Sequence, residues 1–479
     1  MSSLKQAASG TKWVAVSRAS RLAAQLLGML ILARLLSPSD FGVVAMASVF
    51  IGFASIFRDF GAGTAVIQRR ELTARLLDSV FWMTLGVGVG IAILLAALAP
   101  AIAGAMREAK VREVLWLLAL SFPIASLGLV PQALLERASR FRPVALIEGC
   151  AAFTGIAAAV LAAAAGWGVY SLVSQTIIAA IVVTTGMWLA CAWRPGRQFS
   201  FAQIGEIAAF SGNLVGFHTF NYFARNADTL LIGRFLGAMD LGYYNVAYSL
   251  MMLPLRTITW ATGRALIPAL SRIQDDRQRL MQGYVRAAAA VFLITAPMTL
   301  GLFVLREPFV VAVLGSSWST VSDLVFWLAP AALVQCVQAT VWWLCVATGR
   351  TDIMFKWTVF ASLAAICAFV VGLQWGVEGV AAAYSVTVLV LFVPAVGIPL
   401  RLIGVSLAGF TRRLAPSFFA ACLMAVCVAT MAEGSGAVGM PPWVRLVLLA
   451  ALGAFVYLIL SVFLQRPVLR DVTNALFSR

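Results

Sequence analysis

Apolar runs of about 20 residues recur from Trp13 to Leu464, and no polar stretch between them is long enough to fold by itself. A chain patterned this way has a bilayer for its solvent. Of its 479 residues 62% are hydrophobic and only 11% charged, whereas a soluble domain carries about 25% charged residues. The first run contains Arg18 and Arg21 and has no small-residue cleavage site, so it reads as a retained helix. The seven cysteines lie inside apolar runs without ligand spacing and read as packing residues.

Breaks at Pro, Gly and charge clusters predict an all-α polytopic membrane protein of about fourteen transmembrane helices. The first six spans run about 12–36, 41–67, 78–104, 113–135, 142–165 and 168–193; six more run about 206–236, 241–271, 284–305, 320–346, 354–376 and 378–400. A final pair lies near 413–432 and 443–465. Alternate connections hold 22 of the 35 Lys and Arg; the opposite set holds five, Arg107, Lys110, Arg112, Arg306 and Arg445. That bias predicts both termini in the cytoplasm, with the loop around Lys110 periplasmic against its own charge.

A gapless similarity at an offset of 200 pairs ILARLLSPSDFGVVAMASV from Ile31 with LIGRFLGAMDLGYYNVAYS from Leu231. Arg34/Arg234, Asp40/Asp240 and Gly42/Gly242 are identical, and Gly63/Gly263 and Ile67/Ile267 extend the match. An even number of spans separates the copies. They are therefore expected to be two parallel six-helix repeats, related by a pseudo-twofold along the membrane normal. The expected division is 1–195, 196–405 and a segment 406–479 holding two additional helices and a cytoplasmic tail. Such folds place the substrate between the halves, and rocking would put the turns at Gly42 and Gly242 on the outer side.

Eight arginines fall inside spans: Arg18, Arg21, Arg34, Arg58, Arg225, Arg234, Arg256 and Arg264. Facing lipid, they would cost about 20 kcal/mol together, so they are expected to face a hydrated lumen. Arg34 and Arg234 sit at outer span ends, each six residues before Asp40 or Asp240, and are read as snorkelling residues with a turn-stabilising ion pair. Arg18 and Arg21 form a polar stripe with Ser17 and Gln25. His218, Asn221, Tyr222 and Arg225 line one face of span seven, continued by Asp228, and the repeat sets His218 opposite Arg18. The acids Asp59, Glu148, Asp228 and Asp323 are read as ion-pair partners or as binders of a coupling ion. Trp260, Trp327, Trp342, Trp343, Tyr243 and Tyr244 are read as belt and packing residues rather than sugar platforms. No catalytic constellation, metal site or cofactor is expected, and the single histidine argues against a membrane polymerase or acyltransferase.

The stretch NADTLLIGRFLGAMDLGYYNVAYSLMMLP from Asn226, with ARLLSPSDFGVVA from Ala33, resembles bacterial polysaccharide flippases. These are the Wzx-type branch of the multidrug/oligosaccharidyl-lipid/polysaccharide exporter superfamily, and the subgroup resembles colanic acid and exopolysaccharide exporters. The resemblance implies a flippase that moves undecaprenyl-pyrophosphate-linked oligosaccharide repeat units from the cytoplasmic to the periplasmic leaflet of the bacterial inner membrane. It implies no enzyme activity and no nucleic acid, with polymerase and chain-length proteins of the same pathway as further partners. The family's cation-lined cavity would correspond to Arg18, Arg21, Arg58, Arg225 and Arg256, with Arg264 and His218 added on position. Two extra C-terminal helices in relatives help hold a lipid tail. A lipid-linked peptidoglycan precursor flippase and a multidrug/cation antiporter are the alternatives. Guanidiniums favour an anion because they bind phosphate bidentately and stay charged.

Overall fold

A computed structural model describes residues 2–59, 63, 66–67, 69, 72–200, 219, 221–435 and 440–465. Packing divides the chain into two compact units, Met1–Gly242 and Tyr243–Arg479. Among the described residues the secondary structure is helical, without strands. Ten segments among the described residues are long and apolar enough to cross a membrane, which makes the chain a multi-pass membrane protein. The arginine-bearing α1 (Ser2–Leu35) and the stretch 221–271 stand outside those ten, and one segment, Thr351–Leu402, is 52 residues long and holds two helices. The expected span 206–236 lies largely outside the described residues, and the hairpin 351–402, which has no polar loop, reads as one run.

The first unit continues with α2 (Pro38–Asp59), α3 (Ala74–Met106), α4 (Lys110–Ala119), α5 (Ser121–Arg137), α6 (Phe141–Ala164), α7 (Val169–Ala190) and α8 (Ala227–Phe235). Helix α6 packs between α1 and α7, and α3 packs on α4 and α5. Lipid offers no hydrophobic drive for such pairing, so close backbone approach at small residues has to supply it. Gly155 of α6 shows this: a β-carbon there would lie 2.8 Å from the Gln175 carbonyl oxygen of α7. Helix α2 starts with Pro38 at its first position and a local cap, where Asp40 accepts from Ser37 N at 3.1 Å and Ser37 Oγ at 2.6 Å. Arg137, closing α5, donates to the carbonyls of Val66 and Arg69 and so fixes the connection after α2.

Loop 191–200 folds back onto the start of α3. Gly196 N donates to Asp78 Oδ1 at 2.8 Å, Trp82 Nε1 to Gly196 O at 2.8 Å, and Ser200 N to Ser79 Oγ at 3.0 Å. The buried Asp78 carboxylate thus pairs backbone of the segment that joins the two expected repeats.

Helix α9 (Ala238–Met251) follows the turn at Gly237, whose φ of 95° is one that glycine adopts without strain. The first unit takes in the opening helices of the second expected repeat because α8 packs on α2.

The second unit contains a π turn (Leu255–Thr259), α10 (Trp260–Ser271), α11 (Arg277–Val304), α12 (Ser319–Ala347), α13 (Thr351–Gly372), α14 (Gly376–Leu402), α15 (Leu407–Ser435) and α16 (Pro442–Leu464). Its core centres on Tyr284 of α11, stacked on Phe410 of α15 at 5.9 Å and hydrogen-bonded to Thr340 of α12 at 3.1 Å. Tyr457 of α16 donates to Leu293 O at 2.7 Å, so both C-terminal helices are fixed to this unit.

Candidate functional site

The arginines separate by environment. In the first unit Arg21 keeps half its side chain open while Nη2 lies 3.6 Å from Glu148 Oε2 of α6. Ser17 Oγ donates to the same carboxylate oxygen. Gln25, one turn further along α1, is exposed. Arg58, partly buried on the last turn of α2, sits 6.0 Å from the centroid of the Phe122 ring.

Span seven is placed from Asn221 onward. Arg225 is exposed, Asn221 half-buried, and Tyr222 donates to Val49 O of α2 at 2.8 Å with its ring against Phe53. Tyr222, expected on a polar lumen face, therefore cross-links two helices, and Gly52 exists to admit its hydroxyl. Asp228 is buried and accepts from Thr229 N at 2.7 Å. The 200-residue offset sets Arg21 opposite Asn221 and Gln25 opposite Arg225, so a polar residue stands at each of these positions in both copies.

In the second unit Arg256 is exposed and lies within the π turn that follows Pro254. Proline supplies no N–H, which breaks the regular ladder, and such single π turns recur at functional sites. Asp323 of α12 is exposed. Arg18, Asp59 and Arg264 have described backbone only, and His218 lies outside the described residues. Tyr243 donates to Ser317 O at 3.2 Å, Tyr244 is buried, and the buried Trp343 packs against Gly263. These three are packing residues.

The outer turns correct one expectation. Among the described residues no ion pair joins Arg234 to Asp240, and Arg234 Nη1 is buried without a hydrogen-bond partner. The two residues ride on different helices, with Gly237 reversing the chain between them. Asp40 spends its carboxylate on Ser37 at the start of α2. Between the copies the contact is instead one of backbone. A β-carbon on Gly42 would overlap the Ala238 carbonyl, and one on Gly242 would overlap the Pro38 carbonyl.

Residues 31–323 match the profile of a family described as polysaccharide biosynthesis protein. The chain belongs to this family. Among relatives of this polysaccharide biosynthesis protein is the lipopolysaccharide biosynthesis protein WzxC of Escherichia coli, 28% identical over 78% of the chain and 76% of the relative. The succinoglycan biosynthesis transport protein ExoT of Rhizobium meliloti is 26% identical over 96% of the chain and 94% of its own length. The teichuronic acid biosynthesis protein TuaB of Bacillus subtilis is 25% identical over 96% and 95%. In fold, the chain is similar to the lipid II flippase MurJ, with TM-score 0.76 at 16% identity over 96% of the chain and all of MurJ. It is also similar to an inward-facing multidrug transporter of the MATE family, with TM-score 0.64 at 15% identity over 82% of the chain and 96% of that one. The chain thus shares its fold with these two transporters. These relatives carry the names of transport and biosynthesis proteins, and Arg21, Gln25, Asn221, Arg225 and Arg256 are cations and amides, which bind rather than react.

Sequence reasoning named Glu148 as an ion-pair acid without its partners, and missed the π turn and the glycine contact. Glu148 lies 131 positions from Ser17, a separation that no local pattern spans. The π turn had a signal in Pro254, and the reciprocal glycine contact had one in the repeated Gly42 and Gly242.

Proposed function

We propose that this protein carries an undecaprenyl-pyrophosphate-linked oligosaccharide repeat unit from the cytoplasmic to the periplasmic leaflet, for exopolysaccharide or lipopolysaccharide biosynthesis. The halves 1–195 and 196–405 rock in alternating access, with both termini cytoplasmic, and the pyrophosphate is held by lumen arginines. The observation carrying this reading is that Arg21, Arg225 and Arg256 are exposed guanidiniums on the predicted spans of about 12–36, 206–236 and 241–271. Each is costly facing lipid, and a hydrated path for a multiply charged anion offsets that cost. The names of WzxC and ExoT support a polysaccharide precursor as cargo.

An apolar cavity of about 370 Å³ in the second unit supports a lipid-linked cargo. It lies among Phe292, Val337, Phe392, Leu414 and Phe418, on α11, α12, α14 and α15. An isoprenoid segment fits its chemistry.

Surface polysaccharide in a flippase-null strain, normalised to membrane levels of each variant, tests the reading. Arg225→Glu and Arg256→Glu each abolish export, the lysine variants retain part of it, and Arg34→Ala retains transport. Normal export by both well-expressed glutamate variants overturns the proposal.

A further inference from the structure

Ser17, Arg21 and Glu148 meet on the seam between α1 and α6. The Ser17 hydroxyl and the Arg21 guanidinium converge on one oxygen, Glu148 Oε2. A hydroxyl and a guanidinium N–H aimed at one anionic oxygen make the donor set that a phosphate oxygen takes.

The grip on Glu148 is loose from the arginine's side. The approach is through Nη2 alone, at 3.6 Å, whereas a locked bidentate Arg–carboxylate pair closes to about 2.8 Å. Among the described residues, Glu148 is the one acid within ion-pair distance of Arg21. Exposure is unequal: 50% of the Arg21 side chain is open against 17% of Glu148. The cation can therefore be reached by a second anion while its present partner stays covered. Ser20 turns its own hydroxyl to Ser17 O at 2.9 Å, which leaves Ser17 as the hydroxyl donor of the cluster.

We propose that Glu148 is a resident counter-anion: its carboxylate occupies a phosphate subsite formed by Arg21 and Ser17 when the carrier is empty, and the cargo's pyrophosphate displaces it. This rests on the reading of the arginines as an anion path. The pair keeps a lone arginine from standing unneutralised in the membrane. It also lowers affinity on purpose, since a transport path has to bind weakly enough to release. On release the carboxylate swings back to Arg21 and competes with rebinding.

The test titrates farnesyl pyrophosphate onto purified full-length protein in lipid nanodiscs. Glu148→Gln keeps the shape and an acceptor for Ser17 while removing the charge, and binds the probe about fivefold more tightly, the scale of a half-exposed ion pair. Glu148→Ala moves in the same direction, Arg21→Ala weakens binding, and the gain from Glu148→Gln vanishes in the Arg21→Ala background. If Glu148→Gln binds no better than the parent, or its gain persists without Arg21, the resident counter-anion is wrong, while weakened binding in Arg21→Ala leaves the arginine path standing. If neither Arg21→Ala nor Arg225→Ala alters binding, the arginine path falls and the counter-anion with it.

Discussion

Gly42, near the start of α2, packs on the backbone carbonyl of Ala238 so closely that a β-carbon there would overlap the oxygen. Exchanging the copies by 200 residues gives the contact between Gly242 and the Pro38 carbonyl. If the halves rock as proposed, this seam parts, and a methyl group on either glycine would hold it ajar. The double variant Gly42→Ala/Gly242→Ala is expected to cut export at least about tenfold, the effect of about 1.4 kcal/mol on the closed state. A cysteine at Ser39 should gain reactivity toward an impermeant maleimide in that background. Unchanged export and reactivity would count against a moving seam.

Tyr222 and Gly52 form a matched pair. Removing only the hydroxyl in Tyr222→Phe is expected to cost about 1 kcal/mol of stability through the lost bond to Val49 O. Gly52→Ala collides with that hydroxyl and should cost more. Combined, the two changes should recover part of the loss, measured as the thermal midpoint of the purified protein in detergent.

Asp78 fastens loop 191–200 to α3. Asp78→Ala leaves the Gly196 N–H without its acceptor in a covered position, at a cost of about 1–3 kcal/mol. Cleavage by trypsin after Arg197 should accelerate several-fold, while Arg137→Ala, which removes the bonds to Val66 O and Arg69 O instead, should leave that cleavage unchanged.

Ala415→Trp places an indole in the apolar cavity of the second unit. If an isoprenoid chain lies there during transport, export falls while affinity for inorganic pyrophosphate stays at the parent value. Loss of both would assign the cavity to the fold rather than to the cargo.

Much of this was legible in the sequence for one reason: charges are so costly in lipid that their placement stands out. The runs between Trp13 and Leu464 marked a helical membrane protein, and Arg21, Arg225 and Arg256, picked out by span position, are all exposed. Partnerships were less legible. Arg21 with Glu148 and Tyr222 with Val49 join residues far apart in the chain, and apolar helices carry little pattern to say which faces meet. The pairing of Arg234 with Asp240 failed because six residues of separation says nothing about a chain reversal at Gly237.

The π turn at Leu255–Thr259 answers, in the other copy, to residues 55–59 of α2, which are ordinary α-helix. One extra residue in a turn amounts to about 100° of rotation. The copies therefore keep step letter by letter and fall out of step in space. Their charges are staggered as well, since Arg58 answers to Ile258 and Arg256 to Ile56. The expected repeat is alike in sequence, and this turn is one place where its copies differ in backbone. The proposed cargo, with a lipid end and a sugar end, would itself be lopsided: identical faces would accept it in two equivalent senses, and unlike faces leave one.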